Sequence, residues 1–119
     1  MRLKTTLKKG ERTLIENCWL ASDFFSRLIG LMGRRALGEN EAIFFPNCSS
    51  IHTFFVRFPI DVISVSAEGT VLSVQENLAP WRLLLPKRFV SHVIEVQGGL
   101  SRRLGIAPGT RLTCKGVWD

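Results

Sequence analysis

The stretch Asp61-Val62-Ile63-Ser64-Val65-Ser66-Ala67-Glu68-Gly69-Thr70-Val71-Leu72-Ser73-Val74-Gln75 decides the fold class. Two runs rich in β-branched residues, 61–66 and 70–75, flank the turn Ala67-Glu68-Gly69, where glycine supplies the positive φ that short hairpin loops need. Side chains alternate across a strand, so Ile63 and Val65 share one face and are expected in the core. The same reading extends outward. Residues 2–8 and 13–20 predict two strands around Lys9-Gly10-Glu11, and 50–57 and 91–97 predict two more. Pro59 ends or bulges the strand before it, because proline cannot donate to a sheet ladder. Residues 42–45 and 81–85 are apolar runs stopped by Pro46 and Pro86. Gly98-Gly99 breaks the strand before it, and 100–104 suit a single helical turn. Ala107-Pro108-Gly109-Thr110 places Pro and Gly where a type II turn prefers them, and 111–117 is a closing strand.

One longer helix is expected. Ser22 is its N-cap and Asp23 lies in its first turn. Phe24, Phe25, Leu28, Ile29 and Met32 follow at helical spacing, and Gly33 ends it. Strands do not alternate with long helices, which disfavours a parallel α/β sheet. The fold class predicted is mainly β: a compact antiparallel barrel or sandwich of about seven to nine short strands with one or two short helices.

The chain has 119 residues, which suits one domain over 1–119. Hydrophobic residues make up 45% and charged residues 22%, values that exclude intrinsic disorder and a fibrous fold. Lys and Arg number 16 against 10 Asp and Glu, a net charge of +6. That excess favours anionic partners: nucleic acid, a phosphorylated or carboxylated ligand, or an acidic lipid surface. No apolar run approaches the ~20 residues of a membrane span. No apolar core follows Met1-Arg2-Leu3-Lys4 as in a signal peptide, so the expected location is the cytoplasm. Cys18, Cys48 and Cys114 form no Cys-x-x-Cys pair, and His52 and His92 lack zinc-finger spacing. Reduced structural thiols are expected, with no metal and no cofactor. A nucleophilic Cys48 near His52 is the alternative.

The chemistry concentrates in Ser50-Ile51-His52-Thr53-Phe54-Phe55-Val56-Arg57-Phe58-Pro59-Ile60-Asp61 and in Asn77-Leu78-Ala79-Pro80-Trp81-Arg82. These segments resemble the uncharacterised family called domain of unknown function 192. Gly30-Leu31-Met32-Gly33-Arg34 matches that family's Gly-Leu-Met-Gly-Arg element. Residues 51–55 and 57–62 match its Ile-His-Thr-Phe-Phe and Arg-Phe-Pro-Ile-Asp-Val elements. Residues 77–82 match Asn-Leu-x-Pro-Trp-Arg, and 93–109 resemble its last strand, Gly and Leu-Gly-Ile-x-Pro-Gly elements. The similarity spans about residues 12–116, in order. Val56 stands where the family commonly has Met, and Thr110 where it often has an acid. The resemblance implies a compact, mainly β fold and no particular reaction.

On their own chemistry, His52 is a ligand contact, an acid/base or a core-edge imidazole. Arg57 either clamps a carboxylate or phosphate or pairs with Asp61 at the bend. A regular strand puts His52 and Arg57 on opposite faces, so grouping them needs a bulge or a second segment. Trp81 either stacks on a ligand or plugs one barrel end, and Arg82 can hold an anion. The candidate ligand-binding residues are therefore His52, Thr53, Arg57, Asp61, Asn77, Trp81 and Arg82, with Arg34 as a supporting position behind them. Three functions follow: a small-molecule binding domain for a polar or anionic ligand at one barrel end; an enzyme of unknown reaction using His52; and a salt-sensitive nucleic-acid contact, which is less favoured because no RNA-binding sheet motif is present.

Overall fold

The computed structural model describes residues 4–20, 37–48, 51–52, 58–79, 82–84, 87–114 and 116. Among them run nine strands: β1 (Lys4–Lys9), β2 (Arg12–Leu20), β3 (Glu41–Phe45), β4 (Ile51–His52), β5 (Ile60–Val65), β6 (Val71–Leu78), β7 (Leu83–Leu84), β8 (His92–Gln97) and β9 (Thr113–Cys114). One short helix, α1 (Leu100–Arg103), follows β8. Seven strands form a curled half-barrel sheet in the order β6-β5-β8-β3-β2-β1-β9, and β4 pairs with β7 apart from it. The mainly β class is thus observed. The β2–β3 pair is parallel and the others are antiparallel. A parallel pair needs a crossover; the stretch 22–33, expected as a helix, falls in the connection from β2 to β3 and lies outside the described residues.

Gly10 at φ 61 turns β1 into β2, with Lys9 opposite Arg12. The expected hairpin joins β5 to β6. Ser66 N–H donates to the Thr70 carbonyl at 2.9 Å, and Gly69 stands at φ 90. The expected type II turn forms too: Thr110 N–H reaches the Ala107 carbonyl at 3.0 Å and Gly109 stands at φ 94. Within the expected closing strand, Thr113–Cys114 pairs with β1 and Arg111 bridges Thr70. That bridge, with Val71 N–H on the Thr110 carbonyl and Leu112 N–H on Gly69, draws the two ends of the sheet together. Open edges are thereby shortened.

Alternation along the central strands produces two apolar faces. The inner face gathers Leu7, Ile15, Cys18, Phe44, Ile63, Val65, Ile94, Val96, Leu112 and Cys114 inside the curl, with Leu100 of α1. The outer face of β3, β5 and β8 gathers Ile43, Phe45, Ile60, Val62 and Val93, with Leu37. Ile63 and Val65 are core as expected, yet β5 is buried on both sides, a pattern that continuous apolar runs signal. Cys18 and Cys114 are buried, reduced thiols. The adjacent Cys114 thiol, together with burial, pushes the Cys18 thiol well up.

Candidate functional site

Asp61 organises one corner of the sheet. Ile60 faces Leu78 and Val62 faces Gln75, so between them one residue on β5, Asp61, stands against two on β6, Glu76 and Asn77. The extra residue makes a β-bulge, and Asn77 there takes a left-handed φ of 50. Asp61, fully buried, lies opposite. Its Oδ1 accepts the N–H groups of Asn77 at 2.9 Å and Gly99 at 3.0 Å. Its Oδ2 accepts Ser101 N–H at 3.0 Å and the Ser101 hydroxyl at 2.5 Å. Gly99, the N-cap of α1, has no side chain to cap with, and Asp61 does that work from β5. Burial alone would raise this carboxyl. The Ser101 hydroxyl and the N–H groups of Asn77, Gly99 and Ser101 outweigh it and hold the group below its ordinary range. These four donors match the acceptor capacity of a carboxylate. Asn77 is exposed, and its amide oxygen fits against Gly98, where a Cβ would lie 2.5 Å away.

The two motif segments meet at the β4–β7 pair. Ile51 faces Leu84 and His52 faces Leu83, so His52 lies one position from exposed Arg82 in the paired register. Both segments are anchored on the outer face. The segment carrying β4 leaves from Cys48 and returns at Phe58, and the one carrying β7 leaves from Leu78 and returns at Val90. All four of these residues pack against the outer apolar cluster. Asp61 belongs to the other side of β5, two residues from inward-facing Ile63. Thr53, Arg57, Trp81 and Arg34 lie outside the described residues.

Reading the sequence for sites missed Glu95. It sits on β8 at the middle of the sheet, opposite Ile43 on one side and Val62 on the other. Alternation places it with Val93 on the outer face. It is 4% exposed. Burial pushes the group up to about 8. The available signal was an acid inside the apolar run Val93-Ile94-Glu95-Val96.

Two other features complete the chemistry. His92 is lowered by burial and accepts Asn47 N–H on Nδ1 at 3.0 Å, which leaves the proton on Nε2. A groove of about 320 Å³ runs along Val74, Glu76, Arg102 and residues 105–108, at the α1 end. Among the described residues no helix is long and apolar enough to cross a membrane.

The curled sheet and its outlying strand pair define a class of small, mainly β domains seen in solved structures. A protein of unknown function from Novosphingobium aromaticivorans is similar at a TM-score of 0.78 and 27% identity, over 94% of this chain and 84% of that one. A Sinorhizobium meliloti protein, provisionally assigned as a transcription regulator, is similar at 0.80 and 25% identity, over 98% and 95%. A UPF0127 protein of Pyrococcus abyssi is 34% identical over 97 residues, 78% of this chain and 81% of the relative. The profile of domain of unknown function 192, described as an uncharacterised ACR, matches residues 5–114, and the chain belongs to that family.

Proposed function

We propose that this chain is a small-molecule binding domain whose site lies on the outer face of the sheet, under the β4 and β7 segments, and takes a polar or anionic ligand. The observation that carries this reading is the pairing of His52 with Leu83, which brings the two polar motif segments side by side, with Cys48, Phe58, Leu78 and Val90 at their ends packed on the outer apolar cluster. Sites for small molecules combine an apolar surface with a few convergent polar groups. His52, Thr53, Arg57, Trp81 and Arg82 are the proposed contacts. Arg57 and Arg82 supply cationic donors for an anion, and Trp81 supplies a stacking plane. Asp61 and Asn77 hold the β5–β6 corner from which the first segment enters the sheet, and Arg34 supports the site from behind.

The test is a thermal-shift survey of polar and anionic metabolites on the wild-type chain and on Arg57→Ala and Trp81→Ala. A ligand present at a hundredfold its Kd adds about 2.7 kcal/mol, which moves Tm by several degrees in a domain of this size. The expected result is a shift in the wild type that both variants lose. Shifts that survive unchanged in both variants would remove the reading.

A further inference from the structure

We propose that the open outer edge of β6 docks an extended, acidic peptide segment of a partner protein, which adds as a short strand beside Ser73–Gln75 and lays an apolar side chain in the groove between Val74 and residues 105–108. None of these residues belongs to the ligand site proposed above.

β6 ends the seven-stranded sheet and pairs on one side only, with β5. On the outer side the chain covers just its start. Val71 N–H reaches the Thr110 carbonyl at 2.8 Å, Gly109 N–H reaches the Val71 carbonyl at 2.9 Å, and Thr70 bridges Arg111. Residues 109–111 thus begin a strand beside β6, and the chain before them does not extend it. Pro108, the next residue along, has no N–H to give. The N–H groups beyond it are already spent. Ala107 donates to the Thr110 hydroxyl at 3.2 Å, Ile106 to the Ser101 carbonyl at 2.9 Å and Gly105 to the Arg102 carbonyl at 3.1 Å. The Ile106 side chain turns into the inner core. Among the described residues, nothing bonds the main chain of Ser73–Gln75 on its outer side. An edge left open in this way is a template for a further strand. Register with β5 is unbroken from Ser73 to Gln75, and bulges at Leu72 and at Glu76-Asn77 set the limits of the docking stretch.

The groove of about 320 Å³ runs beside this stretch. Val74, Ile106, Ala107 and Pro108 give it apolar walls, and Leu72, 38% exposed, adds apolar surface on the same strand. A docked strand takes its affinity from main-chain bonds and its selectivity from pockets for alternate side chains, and the groove is such a pocket. Charge at the groove selects an acidic occupant. Glu76 accepts Arg102 Nε at 3.0 Å and Nη2 at 2.9 Å, and Arg102 Nη1 meets no acceptor among the described residues. The Lys9 ammonium lies 3.5 Å from the Gly105 carbonyl and pairs with no acid among the described residues. Lys9 and Arg102 together therefore stand against Glu76 alone, on a chain of net charge +6. A second copy of the chain fits less well. Its own β6 brings a second Glu76, and the bulges blunt the edge against another sheet.

The test uses the full ¹⁵N-labelled chain and two blocked peptides, acetyl-Glu-Val-Thr-Val-Glu-amide and acetyl-Lys-Val-Thr-Val-Lys-amide, titrated by NMR. The acidic peptide is expected to shift the amides of Ser73–Gln75 and of residues 105–107 and to slow hydrogen exchange along Ser73–Gln75. It is expected to bind about tenfold tighter than the basic one at low salt. N-methylation of its Val and Thr residues removes the ladder donors, whichever edge the peptide presents, and is expected to abolish binding. Lys9→Glu, at an exposed position, is expected to reverse the preference between the two peptides. The proposal is overturned if neither peptide shifts Ser73–Gln75, if the N-methylated peptide binds as well as its parent, or if Lys9→Glu leaves the preference unchanged. Slowed exchange at Ser73–Gln75 on raising the protein concentration alone, with no peptide present, assigns the edge to a second copy and overturns it as well.

Discussion

At the scale of single residues, Gly98 shows how tightly the Asp61 corner is packed. A Cβ at this position would lie 2.5 Å from the Asn77 amide oxygen and 3.2 Å from the Pro59 carbonyl. Its φ is not in the left-handed region, so Gly98→Ala is opposed by contact alone. It is expected to destabilise the chain by about 1–3 kcal/mol in urea unfolding. Asn77→Gly in the same chain removes the nearer atom at a φ that glycine adopts freely, and is expected to restore part of the loss. Phe89 shows the reverse case. It is 76% exposed at φ 68, a conformation costly for an aromatic residue, and the Arg88 guanidinium lies 5.3 Å from its ring centre. Phe89→Gly is expected to raise stability by about 0.5–1 kcal/mol by the same measurement, because relief of strain exceeds the lost stacking and the added freedom of the unfolded chain. Neither Asn77 nor Phe89 announces its backbone conformation in sequence. Glu95 was hidden for a related reason: parity groups it with Val93, but only the assembled sheet shows that both faces of β8 are covered.

Among elements, the hairpin, the two glycine turns and the helical turn were legible because each is set by local chemistry. Gly69 and Gly109 take positive φ where the turns need it, and Gly105 at φ 72 closes α1, with Ile106 N–H on the Ser101 carbonyl. What was not legible depends on contacts distant in sequence. The parallel β2–β3 pair depends on residues 17–20 meeting 41–44, and Asp61 on donors 16 to 40 positions away. Asp61 couples three elements, so its removal acts on all of them. Asp61→Ala strands three backbone N–H groups and a hydroxyl beside a buried cavity, and is expected to cost about 4 kcal/mol. Hydrogen exchange checks the location of that loss: protection is expected to fall first at residues 77–78 and 99–104, while the β3–β8 ladder keeps its order.

For the whole molecule, the ionisable groups on the two faces pull stability in opposite directions with pH. Asp61 and His92 are both lowered in the folded chain, so each contributes stability that is present above its ordinary value and lost as acid protonates it. For Asp61 that loss falls below about pH 4, and for His92 below about pH 6.5. Glu95 has the other sign. Its folded value, about 8, stands above the unfolded one of 4.5, so the folded chain holds a proton that the unfolded chain has released. Stability from this group is complete below pH 4.5, declines as pH rises, and is gone above about 8. Across pH 6.5 to 8 Glu95 acts without opposition from the other two, and the wild type is expected to lose a kcal/mol or more over that interval. Glu95→Gln has no proton to release and is expected to hold a flat Tm there, and to exceed the wild type at pH 8. Thermal unfolding of both chains at half-unit steps separates the cases, and a wild-type curve as flat as that of the variant would mean that Glu95 is already ionised and partnered in the fold.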